Sequence, residues 1–199
     1  DKTINVDKQK IQLNGKQYTK LKADHGTVWR ETTQKLVNNP LYEMASDGSK
    51  AAMYDLADTY ATQVAKYMTH NQYKMDSWVE SAYRNENADD VIVNKVAAKN
   101  KQVYVESQAK YFAEALMTNN AKDIKKYADE LTESKADPSE VRKQLTAYYK
   151  PLYKEAYYQG DDTTMLQIQY ILSTVNDYLS LDKPITKYTT KKDFDKWIT

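Results

Sequence analysis

Hydrophobic positions recur at intervals of three and four along most of the chain, the spacing that lines side chains up on one face of an α-helix. Met53, Leu56, Ala57, Tyr60, Val64, Tyr67 and Met68 form one such stripe and predict a helix over about 49–70. Met165, Ile168, Ile171, Leu172, Val175, Tyr178 and Leu179 form the most apolar stripe, expected at the centre of the core. Weaker stripes mark helices at Trp29, Thr33, Leu36 and Val37, at Val79, Ala82 and Tyr83, and at Ile124, Tyr127, Ala128 and Leu131. Val141, Leu145, Tyr148, Tyr149, Leu152 and Ala156 give a further long face.

The punctuation between stripes agrees with helices. Asn38-Asn39-Pro40 stops one run and opens the next, with Asn39 as cap and Pro40 at the first helical position. Asp47-Gly48 reads as a turn, Asp76 and Asn120 as caps, and Asp137-Pro138-Ser139-Glu140 as a capping box. Pro151 lacks the N–H that would bond back to Ala147, so a kink or break is expected there. Gly160 ends that helix, Asp162 is expected to cap the next, and Pro184 bounds the far side.

Two stretches depart from the helical pattern. Ile11, Leu13, Asn14-Gly15, Tyr18 and Leu21 read as a β-hairpin with a type I′ turn, to which Ile4 and Val6 add strand character. Val91 to Val105 suits either a hairpin or a helix face; the helix agrees with its flanks and no strong turn dipeptide interrupts it. The expected fold is mainly α, a bundle or array of about six to eight helices with a small N-terminal hairpin. Residues 1–24 form the hairpin appendage, 25–182 the helical domain, and 183–199 a tail docked by Phe194, Trp197 and Ile198.

Composition narrows this picture. Four Gly and four Pro in 199 residues are too few for the turns of a β-sandwich. Eighteen Tyr against two Phe make a core whose margins want hydrogen-bond partners, and leave some rings at the surface. No run of about 18 apolar residues spans a membrane. The absence of Cys excludes disulfides and thiolate chemistry. With a mean hydropathy of −0.86, the make-up resembles the ectodomain of a Gram-positive surface lipoprotein or secreted protein, which implies an extracellular or cell-surface location.

Net charge is +1, unlike a nucleic-acid module with its concentrated basic face. Residues 1–24 carry Lys2, Lys8, Lys10, Lys16, Lys20 and Lys22 against three Asp, and 183–199 carry five Lys against two Asp. Residues 76–90 are acidic, with only Arg84 opposing five carboxylates, and read as a solvated loop. An internal echo also emerges: an offset of 49 aligns Tyr67-Met68-Thr69-His70-Asn71 with Leu116-Met117-Thr118-Asn119-Asn120, and Met75, Trp78 and Ala82 with Ile124, Tyr127 and Leu131.

Catalytic and cofactor signatures do not stand out. His25 and His70 have no partner at metal-ligand spacing, and the four glycines are too isolated for a phosphate loop, so neither metal nor cofactor is expected. The sharpest feature is a row of tyrosines: Tyr149, Tyr153 and Tyr157 four apart, with Tyr158 beside them. Such rings stack on sugars or receive a partner's apolar side chains, or else simply complete the core. The leading expectation is a non-enzymatic extracellular binding module for a cell-wall polymer or a surface protein. Two alternatives remain: a carboxylate-dependent hydrolase of cell-wall glycan or peptide, and a structural or inhibitory protein that acts only in a complex.

Overall fold

The computed structural model describes residues 2–7, 9–185 and 190–198. Lys8 and Lys187 of the basic ends, and the side chain of Ile198, lie outside what is described. Strands β1 (Thr3–Val6) and β2 (Gln9–Gln12) are followed by α1 (Gly15–Val37), α2 (Pro40–Glu43), α3 (Asp47–Thr69) and α4 (Ser77–Asn85). Then come α5 (Ala88–Thr118), α6 (Ala121–Glu133), α7 (Pro138–Gln159), α8 (Asp162–Thr174), a 3-10 helix over Val175–Tyr178, and α9 (Lys191–Ile198). The fold is mainly α with a small N-terminal hairpin, as the pattern predicts.

The hairpin is shorter and earlier than expected. β1 and β2 pair antiparallel with Ile4 opposite Ile11, and Asp7, at φ 46°, lies in their connection. Asn14-Gly15 is not a turn. Asn14 caps α1: its side chain accepts from the Gln17 N–H at 2.8 Å, and the Gln17 side chain accepts from the Asn14 N–H at 3.1 Å. Asparagine suits a hairpin turn and a helix cap equally; Gln17, three residues on, decides for the cap. Tyr18 and Leu21 are therefore helical. Asp47-Gly48 likewise belongs to the first turn of α3, behind the cap Ser46. Asp161, not Asp162, caps α8.

Helix α7 runs through Pro151 without a break. The proline costs a backbone bond and a steric penalty of about 3 kcal/mol. Tyr149 and Tyr153, buried on either side of it, anchor the helix across that point. At its end Gly160 takes the left-handed conformation, φ 68°, that an L side chain resists.

The chain divides into two compact units, residues 1–99 and 100–199, with the boundary inside α5. In the first, Leu36, Met53, Ala57, Ile92, Val93 and Val96 form one buried cluster. Tyr60, Val64, Met75, Val79, Ala82 and Ala88 form another, and Ile4, Val6 and Leu13 a small one under the hairpin. Asn39 ties α2 to the start of α5: its carbonyl caps α2 at the Leu41 N–H, and its amide donates to Asp89 at 2.9 Å and Asp90 at 2.8 Å. The second unit has one larger cluster, in which Phe112, Leu131, Leu145, Tyr149, Ile168 and Phe194 are all buried. Val91 to Val105 is helical, and residues 97–104 are exposed on every side of it.

Two stretches 49 positions apart share one local design. Thr69 and Thr118 each end a long helix and donate back to a carbonyl four residues earlier, Ala65 at 3.0 Å and Glu114 at 2.9 Å. The short helices after them, α4 and α6, both close on a left-handed residue, Glu86 at φ 54° and Lys135 at φ 52°. In each, the next N–H bonds to the carbonyl of a buried residue, Asn87 to Ala82 at 3.2 Å and Ala136 to Leu131 at 3.1 Å. This is the six-to-one bond of a Schellman ending. Val79 and Ala128, and then Ile92 and Val141, are buried at matching places. The turn before the short helix differs, occupying 70–76 in one stretch and 119–120 in the other.

Candidate binding surface

Helix α7 starts from Asp137, whose carboxylate accepts from the Ser139 N–H and hydroxyl, both at 2.9 Å. Those bonds hold the Asp137 carboxyl below its ordinary range. A four-residue step advances about 40° around a helix, so a row at that spacing drifts away from the core. The tyrosines obey this drift: Tyr149 is 0% exposed, Tyr153 3% and Tyr157 53%.

Tyr149 is a core residue. Its hydroxyl donates to the Ala113 carbonyl at 2.5 Å, and burial, then the nearby Tyr148, pushes its ionisation up. Tyr153 is also inside. Its hydroxyl accepts from Gln169 at 2.8 Å, and its ring stacks on Phe194 (centroids 5.6 Å apart, 21° between planes) with Trp197 at 5.8 Å. The two rings left in solvent are Tyr157 and Tyr158, the latter 73% exposed, packed edge to face at 5.5 Å. The predicted row thus splits into two structural and two surface tyrosines.

Helix α8 carries exposed apolar residues of its own. Ile168, Ile171 and Leu172 face the core, whereas Leu166 and Tyr170, one turn apart, are exposed. Tyr178, which the sequence places on the core stripe, is half exposed. The 3-10 turn carrying it winds three residues per turn, so the stripe slips out of register there. Tyr170 and Tyr178 line a groove of about 270 Å³ with Leu116, Ile124, Ile171, Gln167 and Thr174. Gln167 is fixed by donating to the Met117 carbonyl at 2.8 Å. Leu166 and Tyr170 are functional candidates that the sequence pattern does not single out, although their offset from the 168–171–172–175 stripe is visible in it.

The N-terminal lysines gather at one ring in the other unit. Lys22 lies 4.9 Å and Lys2 5.9 Å from the centre of Tyr18, while Lys20 pairs with Asp24. His25 Nε2 contacts Asp58 at 2.8 Å, and His70 closes α3. Among the described residues, no three His, Cys, Asp or Glu side chains cluster as a metal site, and no helix is long and apolar enough to cross a membrane. Compared with protein-family models, curated proteins and solved structures, the chain has no match.

Proposed function

We propose that this chain is a non-enzymatic binding module, secreted or held at the cell surface by a lipoprotein anchor, that takes hold of a cell-wall polymer. The observation behind the reading is the exposed large apolar residues of the second unit: Tyr157 and Tyr158 at the end of α7, and Tyr170 with Leu166 on α8. A solvent-facing tyrosine offers an apolar face for sugar C–H groups or a partner's side chain, and a hydroxyl for orientation. The lysines around Tyr18 add attraction to an anionic surface, which salt screens.

Cosedimentation with intact Gram-positive cell walls tests this at low and high salt. The bound fraction should fall with salt, and the Tyr157→Ala/Tyr158→Ala double variant should bind about tenfold more weakly, the loss of one or two aromatic anchors. No sedimentation at either salt overturns the polymer reading and directs the search to a surface protein.

A further inference from the structure

Part of the acidic stretch at 76–90 lines a cleft. This cleft of about 620 Å³ opens between α1, α3 and the turn joining α4 to α5. Tyr60, Val64 and Tyr83 form its apolar part, and Glu31, Glu86 and Asp89 bring three carboxylates to it, against Lys35 and Arg84. Arg84 is already engaged by Glu80 at 3.1 Å. Among the described residues, the Glu31 and Glu86 carboxylates have no hydrogen-bond or ion-pair partner. Tyr60 is only 6% exposed and faces the cleft, yet its hydroxyl has no hydrogen-bond partner among those residues either. Burial, with Tyr83 and Glu86 nearby, pushes its ionisation up to about 12, so it enters any binding event as a neutral donor and acceptor.

The matching place in the other stretch is occupied by the chain itself. Forty-nine positions on, Tyr83 corresponds to Thr132, and the Thr132 hydroxyl accepts from the Ser180 N–H at 3.3 Å. The chain beyond Ser180 is held there by Arg142, which donates to the Pro184 carbonyl at 3.3 Å and to that of Ile185, with Ile185 buried. Leu179 and Leu181 pack on the same core. A non-helical segment of the chain therefore lies against the end of α6. The end of α4 has no such cover among the described residues, and carboxylates line the space instead.

We propose that the cleft at the end of α4 binds a non-helical peptide segment bearing a lysine or arginine, whose cation meets Glu31 and Glu86 while its stem lies against Tyr60 and Tyr83. Long basic side chains are suited to this, because an apolar stem and a charged head bury separately. Tyr60 supplies the hydroxyl that a backbone group or the cation itself requires. Neither the tyrosine surface of α7 and α8 nor binding to cell walls supports this proposal, so the two readings stand or fall separately.

The test is titration of the ¹⁵N-labelled full chain with an end-blocked Ala-Lys-Ala-Lys-Ala peptide, monitored by amide chemical shifts. Shifts should concentrate in 28–35, 60–64 and 83–89. The same peptide with norleucine for lysine should produce none. Glu31→Gln with Glu86→Gln should weaken binding about tenfold, as expected for two charge-assisted contacts, and Tyr60→Phe by about threefold. Glu31→Gln alone, an isosteric change on a surface helix, keeps the test valid if the double variant unfolds. Lys135→Gln, at the corresponding position of the other stretch, should leave affinity unchanged. Shifts absent from the cleft, or binding that survives the glutamine variants, overturn the proposal. Equal binding of putrescine and the peptide overturns its peptide part and leaves a simple amine site.

Discussion

Glu86 and Lys135 occupy the same backbone position in two similar stretches, each closing a short helix that comes after a long one. Near Lys135 the place is filled: Leu131 and Leu145 are buried, and the segment from Leu179 to Ile185 is held by Thr132 and Arg142. Around Glu86 the buried residue corresponding to Leu131 is Ala82, and a carboxylate-lined space remains. One local design has thus been completed by the chain in one half and left open in the other. Backbone hydrogen bonding recurs because it depends on few residues. Side-chain volume and charge then decide whether the result is a core or a cleft.

The strongest way to break this comparison is through the two buried positions. Leu131→Ala should cost about 2–5 kcal/mol by removing buried carbons and leaving a void. Ala82→Leu should also destabilise, by about 1–3 kcal/mol, because Ala82 is fully buried and added carbons in a packed interior force its neighbours apart. Urea unfolding measures both. A stabilising Ala82→Leu would mean the first stretch is merely underpacked.

The closing residues separate stability from binding. A non-glycine residue in the left-handed region is strained by about 1–2 kcal/mol, part of which glycine returns as lost chain entropy. Lys135→Gly and Glu86→Gly should each raise stability by about 0.5–1 kcal/mol in thermal or urea melts. Only Glu86→Gly should also weaken the lysine peptide. Equal binding by both variants would remove Glu86 from the site.

The smallest effect is a difference in acid response. Asp137 and Asp161 cap α7 and α8, and hydrogen bonds from Ser139 and from Thr164 hold their carboxyls below the ordinary value of 3.8. A depressed folded-state pKa adds stability above the unfolded pKa, and that contribution fades as pH falls through the folded value. The caps of α1, α2 and α3 are Asn14, Asn39 and Ser46, which do not titrate. Below about pH 4 the second unit should therefore weaken more than the first. Residue-resolved melts by NMR would show it, and the Asp137→Asn/Asp161→Asn pair should flatten the difference.

Much of this molecule is legible from its residues because helix formation is governed locally. The stripe from Met53 to Met68 marks α3, Asn39-Pro40 marks α2, and Asn120 and Asp137 are recognisable as caps from their neighbours alone. Asn14 points equally to a turn and to a cap, and only the Gln17 side chain separates the two roles. Pro151 predicts a break that packing of the tyrosines beside it outweighs. The candidate surfaces are harder to read. Four tyrosines in a row are chemically alike, yet only Tyr157 and Tyr158 reach solvent.

Periodicity, capping chemistry and the repeated helix endings are thus written in short stretches of residues, since each depends on neighbours within about one turn of chain. The placement of Tyr149 and Tyr153 inside the second unit is set by packing with Ala113, Gln169 and Phe194, far off in sequence. The gathering of Glu31, Tyr60 and Glu86 around one cleft comes about in the same way. Contacts of that range depend on which helices pack together, and no local pattern encodes that choice.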